Sequence, residues 1–167
     1  MSILDFPIIS RIRRNHGLEH ASLTILSRRK PAIPLAGISY PGGFLIIGNV
    51  ELTDLQDAVQ QALDRMRNGE HQLAVHPNCG TNMATSGILA GIVTWLGLVG
   101  AKNQQERRSR LPLVISLVTL SLIYSKPLGP LIQERITTSG IPEGLQIMEI
   151  TPIRLGKLCI HRVVTSG

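Results

Sequence analysis

Asn15-His16-Gly17-Leu18-Glu19-His20-Ala21 places two imidazoles and a carboxylate within five positions of an otherwise apolar helical pattern. On a helix, His16 and His20 stand at i and i+4, one turn apart on the same side, which is the spacing two imidazoles need to grip one zinc ion. At about 100° per residue, Ile9, Ile12, His16, Glu19, His20 and Leu23 fall within roughly 60° of one direction. The polar trio therefore lies on the stripe that faces inward. Unpaired polar groups are costly to bury, so this stripe needs a metal, mutual hydrogen bonds or other partners.

The order His-x-x-Glu-His is that of the inverted zinc-peptidase motif, in which the imidazoles hold the metal and the glutamate acts as general base on a water. It assigns metal binding to His16 and His20 and catalysis to Glu19. A purely structural reading stands beside it, with the histidines satisfying each other, the glutamate and nearby backbone. The motif lacks a third ligand, and a second chemically dense stretch, residues 70–82, offers three: His71, His76 and Cys79. His76 is the choice, because His76-Pro77-Asn78-Cys79-Gly80 reads as a rigid turn that would hold it. Here too a bland reading competes, in which Asn78 and Cys79 only satisfy local backbone.

Around the motif, Pro7 suits a first helical turn, and the helical pattern runs from Ile8 to about Ser27, broken only by Gly17. Arg28-Arg29-Lys30 complements the negative end of the helix dipole, and Pro31 and Pro34 stop the helix. Leu35 to Val50, with Tyr40-Pro41-Gly42-Gly43 at its centre, reads as a β-hairpin. Thr53, with Gln56 in the capping-box position, is expected to cap a second helix whose stripe is Leu55, Val59, Leu63 and Met66, ending at Asn68-Gly69. Leu73-Ala74-Val75 reads as a short strand. Beyond Gly140-Ile141-Pro142-Glu143-Gly144 the alternation of Leu145 to Ile150 predicts a strand, and Gly156 separates it from Leu158 to Val164, where Cys159 and His161 share a face as a lesser ligand pair.

Met83 to Gly100 is eighteen residues without a charge, near the minimum for a membrane-spanning helix. Gly87 and Gly91 form a Gly-x-x-x-Gly pair that admits a close helix neighbour, in a homodimer or a larger membrane complex. A second apolar run goes from Leu111 to Tyr124 and past Lys126 to Ile132, and Ala101 to Arg110 reads as the loop of a transmembrane hairpin. The alternative is a pair of core helices in a soluble domain.

Seventeen Lys and Arg against eleven Asp and Glu give a net charge of +6, but only 3% of residues are aromatic. The basic excess sits in Arg11, Arg13 and Arg14, in Arg28-Arg29-Lys30 and in Lys102 to Arg110, all flanking hydrophobic segments. With no aromatic platform to stack bases, the charge points to a lipid bilayer and not to nucleic acid. Two cysteines define no disulfide framework. The start of the chain shows no secretory signal pattern. The positive-inside rule, applied to the basic loop alone, would hold that loop in the cytoplasm. Translocating an 82-residue folded segment is the harder arrangement, and Arg28-Arg29-Lys30 also flanks the hairpin, so cytoplasmic N- and C-terminal segments are expected.

In Arg-Asn-His16-Gly-Leu-Glu19-His20-Ala, in Tyr-Pro-Gly-Gly-Phe and in His76-Pro-Asn-Cys79-Gly-Thr-Asn, the chain resembles a family of short cyanobacterial membrane proteins of unknown function. That resemblance implies a plasma or thylakoid membrane and supplies no activity. Locally, a two-histidine helix, then Arg-Arg-Lys, then an apolar hairpin with Gly-Gly resembles the core of membrane-associated zinc peptidases. It implies Zn²⁺ on His16 and His20, Glu19 as base, and a hairpin edge strand that receives an extended peptide. Those membrane peptidases usually carry the glutamate directly after the first histidine, where this chain has Gly17; the order seen here is that of soluble peptidases of another architecture.

The expected fold is α+β: a zincin-like helix and hairpin segment over residues 1–82, a two-helix membrane hairpin over 83–132, and C-terminal strands over 133–167 that pack with the first segment. Two functions fit it. One is zinc-dependent peptide hydrolysis by a membrane protein, with His16, His20 and His76 on Zn²⁺. The other is a non-enzymatic accessory or assembly subunit of a larger membrane complex, photosynthetic by the cyanobacterial resemblance, whose His/Glu cluster is structural.

Overall fold

A computed structural model describes residues 3–155 and 158–167. The fold is α+β, with four α-helices and a four-stranded antiparallel sheet. The chain divides into two units, Met1–His76 with Gln133–Gly167, and Pro77–Ile132.

In the first unit, α1 (Pro7–Arg29) starts with proline in its first turn and carries Arg28 and Arg29 in its last. β1 (Ala36–Tyr40) and β2 (Gly43–Ile47) form the expected hairpin, and α2 (Leu52–Arg67) follows. β3 (Gln146–Leu155) and β4 (Leu158–Ser166) complete the sheet in the order β1-β2-β4-β3. Phe44 and Ile46 of β2, opposite Val163 and His161 of β4, point to the core. There they join Leu18, Ala21 and Leu26 of α1 and the predicted α2 stripe Leu55, Val59, Leu63 and Met66, all at most 2% exposed. Burial of each such side chain is worth about 1.5–3 kcal/mol before entropy is counted.

Two expectations in this unit are corrected. Thr53 does not cap α2. Glu51 is the extended residue before the helix, its carbonyl accepting from the N–H of Leu55, and it makes no side-chain cap. The first turn is instead fixed by Asp54, which pairs with Lys30 at 3.0 Å. The expected strand at Leu73-Ala74-Val75 is a 3-10 turn, His71–Ala74. Its N–H groups bond three residues back, Leu73 to Glu70 and Val75 to Gln72, so three apolar residues are satisfied locally without a partner strand. Gly156 lies outside the described residues.

The second unit is a pair of helices, α3 (Gly80–Leu98) and α4 (Gln104–Ile132). Three contacts fall in antiparallel register: Asn82 with Gly129, Ser86 Oγ with Ser125 Oγ at 2.7 Å, and Gly97 with Val114. Gly97 and Gly129 are thus the residues that let the helices close together. Gly87 and Gly91 instead face open space. The segment read as a loop up to Arg110 is helical from Gln104, because Asn103 and Glu106 form a capping box: Asn103 Oδ1 accepts from the Glu106 N–H at 2.8 Å, and Glu106 Oε2 from the Lys102 N–H at 2.8 Å. Pro112, Pro127 and Pro130 lie within α4 without ending it. Both helices are long and apolar enough to cross a membrane. Nineteen residues of α3 span about 28 Å.

Gly17 supplies the sharpest test of this packing. A Cβ there would overlap the carbonyl oxygen of Ser139, whose own N–H donates to the Arg13 carbonyl at 2.9 Å. On an isolated helix Gly→Ala stabilises by about 1 kcal/mol; here Gly17→Ala is expected to destabilise by about 1–3 kcal/mol through overpacking against backbone. Gly91→Ala, facing open space, should leave the unfolding midpoint in denaturant unchanged or raised. Equal behaviour of the two variants would refute the contact.

Candidate metal centre

The inward stripe of α1 is satisfied group by group. Asn15 is fully buried, and its amide nitrogen donates to the carbonyls of Tyr40 at 3.0 Å and Pro41 at 3.2 Å, while its oxygen accepts from the Thr165 hydroxyl at 2.7 Å. One side chain thereby ties α1 to the hairpin turn and to β4. Glu19, 3% exposed, accepts from the Ser39 hydroxyl at 2.5 Å and lies against Gly37, where any Cβ would overlap its carboxylate. Glycine at 37 is what lets the carboxylate approach β1 so closely.

His16 and His20 stack edge to face, with ring centroids 4.3 Å apart. Nδ1 of His16 lies 3.0 Å from the Thr137 carbonyl and Nδ1 of His20 lies 2.7 Å from the Ala74 carbonyl. A carbonyl only accepts, so each Nδ1 carries its proton and the neutral ring has its lone pair on Nε2. This is how metal-binding histidines are held, with one nitrogen donating to a fixed acceptor and the other presented to the ion. One ligand nitrogen from each ring lies within 4.8 Å of the other, against a maximum of about 4.2 Å for two nitrogens on one zinc.

His76 joins them, its ring 5.7 Å from that of His20. Its backbone is clamped by the buried Gln133 amide, which accepts from the His76 N–H at 2.9 Å and donates to the His76 carbonyl at 3.1 Å. Sequence reasoning missed Gln133, Thr137, Ala74 and Ser39. Carbonyl partners carry no residue-type signal, and a lone glutamine after an apolar helix reads as an ordinary helix end. His71 is exposed and turned to the Gly140 carbonyl at 2.8 Å. Cys79 belongs to the second unit, at the N-terminal cap of α3, its sulfur accepting from the Thr81 N–H at 3.4 Å.

The expected pairing of Cys159 and His161 on one strand face is present, with Sγ 3.9 Å from Nε2. His161 is 2% exposed, and burial alone pushes its imidazole below the usual value of 6.5.

A helix-and-sheet unit bearing a histidine triad, in a chain with two apolar helices, defines the class. The particular family follows from comparison with known proteins. The family described as a domain of unknown function, DUF6391, matches residues 11–150, and the chain belongs to it. It is 34% identical over 151 residues to an uncharacterized protein of Picosynechococcus sp. (strain ATCC 27264 / PCC 7002 / PR-6), a match covering 83% of this chain and 71% of that protein. No solved structure matches.

The buried imidazole sets a pH dependence. With its folded value lowered, the unfolded chain takes the proton first as pH falls through 6.5, so stability is full above that value and declines below it until the folded ring also titrates. In metal-free buffer the unfolding midpoint is expected to fall between pH 7.5 and 5.5, and His161→Gln to flatten the fall. Parallel pH profiles for the two proteins would contradict this.

Proposed function

We propose that this protein is a membrane-anchored zinc hydrolase of the peptidase type, with His16, His20 and His76 as ligands and Glu19 as general base. The observation that carries the reading is the anchoring of His16 and His20 through Nδ1 to backbone carbonyls, with His76 beside them on a clamped backbone.

Zn²⁺ bound by this set supplies Lewis acidity to a water and a carbonyl. Glu19 takes the proton as the water oxygen bonds to the carbonyl carbon, then delivers it to the amine nitrogen as the C–N bond breaks. β1 supports a peptide substrate. It is an outer strand of the sheet, pairing among the described residues with β2 alone, and its Ser39 hydroxyl donates to Glu19, so a chain added along β1 runs beside the base. α3 and α4 serve as the bilayer anchor in a plasma or thylakoid membrane, with the helix-and-sheet unit on the cytoplasmic side. The open glycine face of α3 at Gly87 and Gly91 favours a second reading in which the protein assembles with a copy of itself or a larger complex, without catalysis.

Metal content of the detergent-purified protein tests the first reading. About one equivalent of zinc is expected on the histidines, lost in His16→Ala/His20→Ala and retained in Glu19→Gln, with cleavage of unfolded peptide substrates absent in both variants. Cleavage surviving Glu19→Gln removes the base assignment. A folded wild type that neither holds nor takes up zinc leaves the assembly reading.

A further inference from the structure

A second cluster of chemistry lies on the same sheet, outside the histidine triad. A cavity of about 490 Å³ is lined by Cys159 and His161 of β4, Lys30 after α1, and Asn49, Glu51 and Asp54 around the start of α2. His161 is among the most deeply buried side chains, yet its Nδ1 has no hydrogen-bond partner. Buried polar atoms are nearly always satisfied, and one left over beside a cavity calls for a water or an ion. Its other nitrogen is 3.9 Å from the Cys159 sulfur.

We infer that Cys159 and His161 form a second metal site, for a thiophilic divalent cation of the zinc class. Sulfur at about 2.3 Å and nitrogen at about 2.0–2.1 Å from one tetrahedral ion are about 3.6 Å apart, and at most about 4.4 Å, so the observed separation already brackets an ion. With Nε2 on the ion, Nδ1 carries the proton, and the cavity provides room for the water or carboxylate that a metal-bound histidine needs on its far side.

The charge of the cavity agrees. Lys30 is neutralised by Asp54 at 3.0 Å, and Glu51 leaves the lining with one net negative charge. Water from the cavity fills the remaining coordination positions. A cysteine and a histidine two residues apart on a strand share a face, which is the local geometry that places both donors on one ion. Nothing in this site depends on the triad in α1.

Cobalt(II) is the probe, because a thiolate bound to it gives a charge-transfer band in the near ultraviolet. The full chain carrying Cys79→Ser, purified in detergent, retains Cys159 as its sole thiol. Cobalt is expected to produce the thiolate band at about one equivalent, zinc to displace it, and added His161→Gln to weaken binding at least tenfold with helix content unchanged by circular dichroism. His16→Ala/His20→Ala should leave the band intact. Should Cys79→Ser not fold, the wild-type minus Cys159→Ser difference spectrum carries the same information. Absence of a Cys159-dependent band in folded protein overturns the site, whatever the triad binds.

Discussion

The structure depends on one constraint: helix α1 turns Asn15, Glu19 and His20 into a core that excludes water, and each must find its partner in another element. Orphaning any one would cost about 1–3 kcal/mol, so the partners are fixed. Tyr40 and Pro41 carbonyls and the Thr165 hydroxyl take Asn15, Ser39 takes Glu19, and the Ala74 carbonyl takes His20. Between them these bonds set the height of the hairpin on α1, the position of β4 and the path of the chain after α2. Apolar contacts supply the bulk of the driving force but are tolerant of sliding. The polar stripe is not, and so it decides the register.

Close approach is the companion constraint. Gly37 and Gly17 each stand where any side chain would strike a neighbour, the first a carboxylate and the second a main-chain carbonyl. The glycine in the middle of α1 weakens the helix, and it does so to bring Arg13, His16 and Gly17 against residues 137–139. The segment that follows α4 thereby becomes the wall that orients His16. The hairpin unit uses glycine differently, with Gly97 and Gly129 at the α3–α4 contact and Gly87 and Gly91 left on an open face.

Much of this was legible in the sequence, where periodicity or turn chemistry spoke directly. The span of α1, the hairpin about Tyr40-Pro41-Gly42-Gly43, the α2 stripe and the apolar pair of helices are all written as residue type at fixed spacing. What was hidden depends on backbone groups that every residue has. The Thr137 and Ala74 carbonyls leave no mark in composition, and the 3-10 turn at His71–Ala74 differs from a strand only in which N–H meets which carbonyl. The start of α4 was hidden for another reason. Asn103 and Glu106 do form a recognisable capping box, but the surrounding charges drew the reading toward a loop.

That division bears on how the histidine triad should be judged. Spacing alone makes His16 and His20 neighbours on any helix, so their ring contact says little. The shared tautomer says more, because it requires carbonyls from two separate stretches, Ala74 before the hairpin helices and Thr137 after them, to arrive beside consecutive turns of α1. Gln133 then holds the backbone of His76 from the same returning segment. The rings of His16 and His20 and the backbone of His76 are held by contacts made over more than fifty residues of separation. Long-range contacts of this kind are costly in loop entropy, and the buried Ala74 carbonyl would lose its donor if His20 were apolar. Under the zinc reading proposed above, these same contacts would hold the rings in place for an ion.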